Sequence, residues 1–318
     1  MNLLQIIDDI AQVEPEVYAR FDGRRAAFRH FLGFGKKVTA AALPLAVSSL
    51  FGKAYGQTTS LPPDVVNTLN LALQLEYLEY YYYDTALKSR ALALTAEETA
   101  AITIILNDEK LHIDTLKEVL KSTAYADPTR AGFDYGGSQN GRRQALFPSL
   151  GGTAGLFTDK AVFMQVAQSL EDTGVRAYKG SVASLFTQKE LLEAALSIHS
   201  VEARHAARIR SLRRGGIQRT TAPKSWVEPT ETPASPPLPN NGVAGTPKLV
   251  GPYNAGASAT AHPPENNVRQ GTPAVDVQAL GRPASPTAGA EAFDEPLDSA
   301  TVKAIAKNFA ANPLAIFK

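Results

Sequence analysis

Two histidines of this chain follow a glutamate at an interval of three residues, as Glu109-Lys-Leu-His112 and Glu202-Ala-Arg-His205. On an α-helix, residues three apart lie on the same face, so each pair can present a carboxylate and an imidazole to one metal ion. The chain has only five histidines. Two pairs at this spacing therefore point to metal binding.

Composition narrows the chemistry further. The 318 residues include no cysteine, which excludes disulfides, thiol nucleophiles, cysteine-bound zinc and iron–sulfur clusters, so any metal must be held by His, Asp and Glu. The 32 basic and 31 acidic residues give a net charge of +1, and without a basic excess a nucleic-acid partner is not expected. No apolar stretch reaches the ~18 residues of a membrane-spanning helix.

Four helices are predicted to position these pairs, at about 63–91, 95–122, 158–185 and 187–214. Apolar residues recur in them at intervals of three and four, and Thr95 to Glu98 and Thr187 to Glu190 have the spacing of capping boxes. Short connections make two antiparallel hairpins, and the Gly-rich stretch 123–157 is long enough to cross between them. This predicts an all-α four-helix bundle with one long crossover, and it places the two Glu-x-x-His pairs on the second and fourth helices.

A di-metal site in such a bundle needs one more carboxylate from each remaining helix. The third helix offers Glu171, and the first offers Glu76 or Glu79. Internal symmetry favours Glu76, because Tyr83 follows it after seven residues just as Tyr178 follows Glu171. The intervals to the next Glu-x-x-His glutamate also match, at 33 and 31 residues. Glu79 remains the alternative on the first helix.

The strings Leu75-Glu76-Tyr77-Leu78-Glu79, Ser169–Gly174 and Val201–Ala206 resemble the ferritin-like proteins, in particular a bacterial ferritin-like group linked to desiccation. The resemblance covers about 62–215 and implies a ferritin-like bundle with two Fe or two Mn ions. Carboxylates and imidazoles suit either metal. The ligands that it implies are Glu76, Glu109, His112, Glu171, Glu202 and His205.

The resemblance implies a di-metal oxidoreductase that acts on Fe(II), peroxide or O2 in stress protection. Tyr83 and Tyr178 are candidate catalytic residues that bond to a ligand carboxylate or donate an electron, and plain core packing is the alternative. Two other functions stay open: a structural or protective bundle with non-catalytic metals, and iron storage. Storage needs a closed assembly that the chain beyond 217 would have to accommodate. A homo-oligomer is compatible with each function.

Three polar neighbours of the candidate ligands are expected to stay outside the ligand set. His199 lies one turn before Glu202 and is expected to support the site or the core. Asp108 and Asp172 adjoin candidate ligands in sequence and are expected to point to other helix faces.

The leader, 1–57, has the order of an export signal. Arg24-Arg25 and Lys36-Lys37 precede the apolar run 38–51, and small residues follow it. The paired arginines resemble a twin-arginine signal, which predicts a periplasmic or cell-envelope protein. An amphipathic N-terminal helix on a cytoplasmic protein is the alternative.

The C-terminal part, 217–318, is rich in proline and glycine. Between 219 and 296 lie 14 of the 21 prolines, which excludes a helix bundle or a central sheet there. We expect an arm that lies partly on the bundle, because apolar and aromatic residues such as Tyr253 are interspersed. It ends in an amphipathic helix at about 299–311 that needs a surface to cover its apolar face.

Overall fold

The computed structural model of the chain describes residues 61–143, 145, 155–215, 225–228, 251–280 and 287–318. All of them belong to Leu50–Lys318, the second of the two units into which the chain divides. The expected export signal lies outside the described residues.

Four long helices form the first part of this unit: α1 (Pro63–Lys88), α2 (Ala96–Leu120), α3 (Lys160–Leu185) and α4 (Lys189–Arg213). Local chemistry explains three of their beginnings. Proline opens α1, and a complete capping box between Thr95 and Glu98 opens α2. The Asp159 carboxylate accepts hydrogen bonds from two amides of the first turn of α3.

The capping box expected between Thr187 and Glu190 is wrong. The N-cap of α4 is Gln188, and it makes no side-chain capping bond. Because α4 begins one residue late for that spacing, Thr187 lies outside the helix and cannot cap it.

The four helices pack as two hairpins, α1 with α2 and α3 with α4. The hairpins meet through α1 against α3 and α2 against α4, so all four helices face one core. The crossover between α2 and α3 contributes Phe133 and Tyr135 to that core, and the Tyr135 hydroxyl donates to the Leu78 carbonyl oxygen at 2.7 Å. The predicted all-α bundle with one long crossover is confirmed. Within the described ranges, no helix is both long and apolar enough to cross a membrane.

The C-terminal residues fold as an arm on the bundle. Their elements are a two-stranded antiparallel ribbon of β1 (Arg269–Gln270) and β2 (Val275–Asp276), then α5 (Ala288–Glu291) and α6 (Ser299–Ala306). Helix α6 packs on α1 and α3 and is shorter than expected, because the chain tightens into a 3-10 turn at Lys307–Phe309.

One buried arginine of the bundle anchors this arm. Arg176, on α3, is 1% exposed and donates hydrogen bonds to arm carbonyl oxygens, including that of Glu295 at 2.7 Å. Its guanidinium also lies 2.7 Å from the Glu265 carboxylate. Tyr253 adds a second anchor, since its hydroxyl donates to Asp172 on α3 at 2.5 Å.

Candidate metal centre

The bundle gathers all six predicted ligands in its core. Each of the four long helices contributes: α1 one glutamate, α3 one glutamate, and α2 and α4 a Glu-x-x-His pair each. The four glutamates are fully buried, and His112 and His205 are 6% and 4% exposed. Helical spacing puts each pair on one face, and the packing of α2 against α4 turns those faces toward each other.

The six residues form two overlapping groups, in each of which the potential ligand atoms lie within 4.8 Å of one another. Glu109 and Glu202 belong to both groups, so these two glutamates are shared between them. The remaining members divide evenly, Glu76 with His112 in one group and Glu171 with His205 in the other. The tertiary structure thus pairs Glu76 on α1 with His112 on α2, and Glu171 on α3 with His205 on α4.

Both histidines direct Nδ1 at the carboxylates. His112 Nδ1 lies 3.0 Å from Glu76 Oε2, 3.1 Å from Glu109 Oε2 and 3.3 Å from Glu202 Oε1. His205 Nδ1 lies 2.9 Å from Glu109 Oε1 and 3.4 Å from Glu171 Oε2, without the angles of a hydrogen bond. One N–H of His112 cannot donate a well-aligned hydrogen bond to all three carboxylate oxygens. An arrangement in which a nitrogen and three carboxylate oxygens converge is suited to binding a cation.

The two tyrosines cross between the hairpins. The Tyr83 hydroxyl, from α1, donates to Glu171 Oε1 on α3, and the Tyr178 hydroxyl, from α3, donates to Glu76 Oε1 on α1. Burial, reinforced by the carboxylate that each tyrosine contacts, raises the pKa of both phenols well above the ordinary value. Both phenols therefore stay protonated and act as hydrogen-bond donors.

Burial also governs the acidity of the carboxyl groups. It raises the pKa of Glu202 well above the ordinary value, and repulsion from neighbouring carboxylates adds to this. Burial raises the pKa of Glu76 to about 7, although attraction to His112 opposes the shift. The pKa of Glu171 is raised by burial as well. The metal-free core thus retains protons on groups that are ionised in water.

The imidazoles behave in the opposite sense to an ordinary buried histidine. Burial would lower the pKa of His112, but the Glu76 carboxylate outweighs it and raises that pKa well above 6.5. Glu109 does the same for His205. Burial would raise the pKa of Glu109, yet attraction to His205 and His112 lowers it below the usual range. Positive charge is therefore favoured at this point, whether protons or metal ions supply it.

Several polar atoms of the cluster make no hydrogen bond to any described residue. Burying a polar atom without a partner costs free energy of folding, so a bound partner for these atoms is expected. A metal ion between them would satisfy this requirement, and carboxylates with imidazoles are ligands that iron and manganese accept. The donor set therefore fits a metal pair. The unpartnered atoms are Glu109 Oε1, Glu171 Oε2, both carboxylate oxygens of Glu202, and His205 Nδ1.

Glu79, the alternative on α1, is buried beside the cluster but belongs to neither group of potential ligands. Burial, reinforced by repulsion from Glu202 first among its neighbours, raises its pKa well above the ordinary value. Under the repeat of α1 in α3, its counterpart is Gly174. A Cβ at Gly174 would lie 2.4 Å from Glu202 Oε2 and 3.5 Å from Glu79 Oε1, so this glycine leaves room for both carboxyls.

Asp108 lies outside both groups of potential ligands, yet it contacts one of their members. Its Oδ2 lies 3.1 Å from His205 Nε2, because α4 packs on α2. No local spacing signals this contact, although adjacency to Glu109 is a hint. Asp172 instead contacts Arg210 and Tyr253. His199 Nδ1 bonds to the Val175 carbonyl oxygen at 3.0 Å and stays outside both groups.

Comparisons with known proteins agree with this architecture. No curated protein and no solved structure gives a significant match to the chain. A family model described as the ferritin-like domain matches residues 64–214, a range that takes in α1 to α4 and all six residues of the cluster. Residues 64–214 of this chain therefore belong to the ferritin-like family.

Proposed function

We propose that the cluster holds two Fe or two Mn ions and that the protein uses them to oxidise Fe(II) or to remove peroxide, in a role that protects against stress. The observation that supports this most directly is the membership of Glu109 and Glu202 in both groups of potential ligands. Shared carboxylates hold two ions close together, and four ionised glutamates balance two divalent charges. A bound pair of these ions supplies two electrons to O2 or peroxide.

Hydrogen bonds from neighbouring residues orient the proposed ligands, which supports a site that is preorganised for metal. Asp108 faces Nε2 of His205, which leaves Nδ1 as the nitrogen directed at the carboxylates. Tyr83 and Tyr178 hold Glu171 and Glu76 by hydrogen bonds from opposite hairpins. In the proposed reaction these phenols keep the two carboxylates oriented, and as phenols they are also able to give up an electron.

Metal analysis with a double variant tests the proposal. The purified full chain is expected to contain about two Fe or Mn ions, and His112→Ala with His205→Ala is expected to remove most of them. His199→Ala is the matched control, because this half-buried histidine also lies on α4 but outside both groups. Unchanged metal content in the double variant would contradict the ligand assignment.

Turnover separates this function from the structural alternative. The metal-loaded protein is expected to consume Fe(II) with O2, or peroxide, faster than the double variant does. Two tightly held ions with no turnover of either substrate would favour a bundle that its metals merely stabilise. Iron storage would require a closed assembly, which light scattering of the purified chain detects.

We also propose that the leader exports the protein to the periplasm or cell envelope. A twin-arginine route carries folded proteins, so the metals would be inserted before export. Fractionation of cells that express the chain, with Arg24 and Arg25 changed to lysine as the comparison, tests this. Equal distribution of both forms would contradict it.

A further inference from the structure

A cavity of about 280 Å³ lies between α1, α3 and the arm. Leu75 and Ala72 line it from α1, Tyr178 and Ala177 from α3, and Val302 from α6. A second, smaller apolar cavity adjoins it and shares Ala72 and Tyr178. The bundle and the arm therefore line this partly open space jointly.

The wall that the arm supplies is held in place. The amide of Leu297 donates to the Arg176 carbonyl oxygen at 3.0 Å. The backbone of Leu297 approaches Gly180 so closely that a Cβ there would lie 1.8 Å from the Leu297 oxygen. Asp298 caps α6 through the amide of Thr301 at 2.9 Å. The cavity thus exists before any ligand arrives, which lowers the cost of binding.

The cavity approaches the proposed metal centre through one residue of its lining, Tyr178. The hydroxyl of this tyrosine donates to Glu76. Leu75, the sequence neighbour of Glu76, lies in the same wall. A molecule in the cavity therefore touches a residue that holds one of the proposed ligands.

The lining does not suit a metal cation. Asp298 is the acidic residue that the described lining contains, and its carboxylate is already occupied by the amides of Ala257 and Thr301 and by the Thr301 hydroxyl. Lys303 adds a positive charge. Fe(II) would need free carboxylates along its path, so the cavity favours an uncharged molecule over an iron ion.

The size and polarity of the cavity describe its ligand more closely. At about 30 Å³ for each water, 280 Å³ holds several times the volume of O2 or peroxide. The inner wall is apolar, while His262 and the serines of the lining offer hydrogen bonds. The Nδ1 of His262 is buried and lies 3.9 Å from Asp298 Oδ2, too far for a hydrogen bond, and it makes none to any other residue that the structure describes.

We propose that this cavity binds an uncharged organic molecule, with an apolar body and one hydrogen-bonding head, and presents it to the metal centre beside Tyr178. The inference rests on the proposed metal centre and goes beyond the proposed function, because it adds an organic ligand to Fe(II), peroxide and O2. It also assigns a role to the arm, because α6 forms the outer wall of the cavity.

Titration of the full-length, metal-free protein with 4-fluorophenol, followed by fluorine NMR, tests the cavity itself. Saturable binding at one site is expected in the wild type. Ala177→Phe fills the cavity from α3 and is expected to weaken binding at least tenfold, and Ala72→Phe does the same from α1. Ala183→Phe is the matched control, because Ala183 is exposed on α3 and outside the lining.

Two results would overturn the proposal that the cavity binds this ligand. One is no saturable binding in the wild type, and the other is an affinity in both Ala177→Phe and Ala72→Phe that equals that of the wild type. Circular dichroism shows which variants are folded. Absence of binding in the wild type would refute the proposal even if neither variant folds. In Co²⁺-loaded protein, 4-fluorophenol is expected to shift the visible spectrum, and binding without a shift would overturn the link to the metal centre. Metal analysis of the wild type reports on the proposed function alone, so the two failures are distinguishable.

Discussion

Gly174 provides the sharpest test of the metal centre. A Cβ at this position would lie 2.4 Å from Glu202 Oε2, whereas ordinary contact begins at 3.4 Å. In Gly174→Ala the Glu202 carboxylate would have to withdraw by about 1 Å. Metal–ligand distances tolerate deviations of only about 0.2 Å. Since Glu202 belongs to both groups of potential ligands, its displacement is expected to weaken both proposed metal positions.

The expected result is a loss of metal without a loss of fold. Affinity for Fe²⁺ or Mn²⁺, measured by competition with a chelator, should fall at least ~10- to 100-fold, and metal content should fall by half or more. Alanine is better than glycine inside a helix by roughly 0.5–1 kcal/mol. The thermal midpoint of the metal-free variant should therefore stay level or rise, so stability and metal binding move in opposite directions.

Gly180→Ala is the contrasting variant on the same helix. There the Cβ would lie 1.8 Å from the backbone oxygen of Leu297, which cannot move unless the arm moves. This variant should retain its metal and should lose the arm more quickly in limited proteolysis. Full metal content and unchanged affinity in Gly174→Ala would refute the reasoning that Glu202 binds metal at its present position.

Three further predictions concern the ligand choice, the arm and pH. Glu76→Gln should cost one metal ion in elemental analysis, whereas Glu79→Gln should keep both and lower the oxidation rate by about tenfold; the reverse pattern would show that Glu79 is the ligand. Arg176→Met should destabilise the protein by about 3–5 kcal/mol, or roughly 10 °C in thermal melting, because it removes the guanidinium beside the buried Glu265 carboxyl and leaves several arm carbonyls without their donor. The exposed Arg204→Met should change stability by less than about 0.5 kcal/mol, and equal effects would argue against the anchor. The metal-free protein should lose stability as the pH rises from about 5 through 7 and beyond, since the raised pKa values of most site groups mean that the native state binds more protons than the unfolded chain. Bound metal should flatten this slope in thermal melts, and a rise in metal-free stability over the same range would contradict it.

The amino-acid sequence determined the features that depend on local periodicity. Apolar spacing predicted the four long helices, and three of their beginnings follow from a proline, a capping box and an aspartate close to the predicted boundaries. The three-residue interval in each Glu-x-x-His pair was enough to predict a shared face. The seven-residue interval from Glu76 to Tyr83, repeated in α3, favoured Glu76 over Glu79, and the structure groups Glu76 with the other potential ligands.

Only the tertiary structure decided which side chains meet across helices. Which glutamates lie in both groups, which carboxylate each tyrosine holds, and how Asp108 reaches His205 all depend on the rotation and crossing of packed helices. The same is true of Gly174, because only the position of α4 shows why a side chain there would strike Glu202. The anchoring of the arm by Arg176 joins residues up to 120 positions apart. Local spacing encodes the faces of each helix, whereas contacts between faces are set by the packing of the whole core.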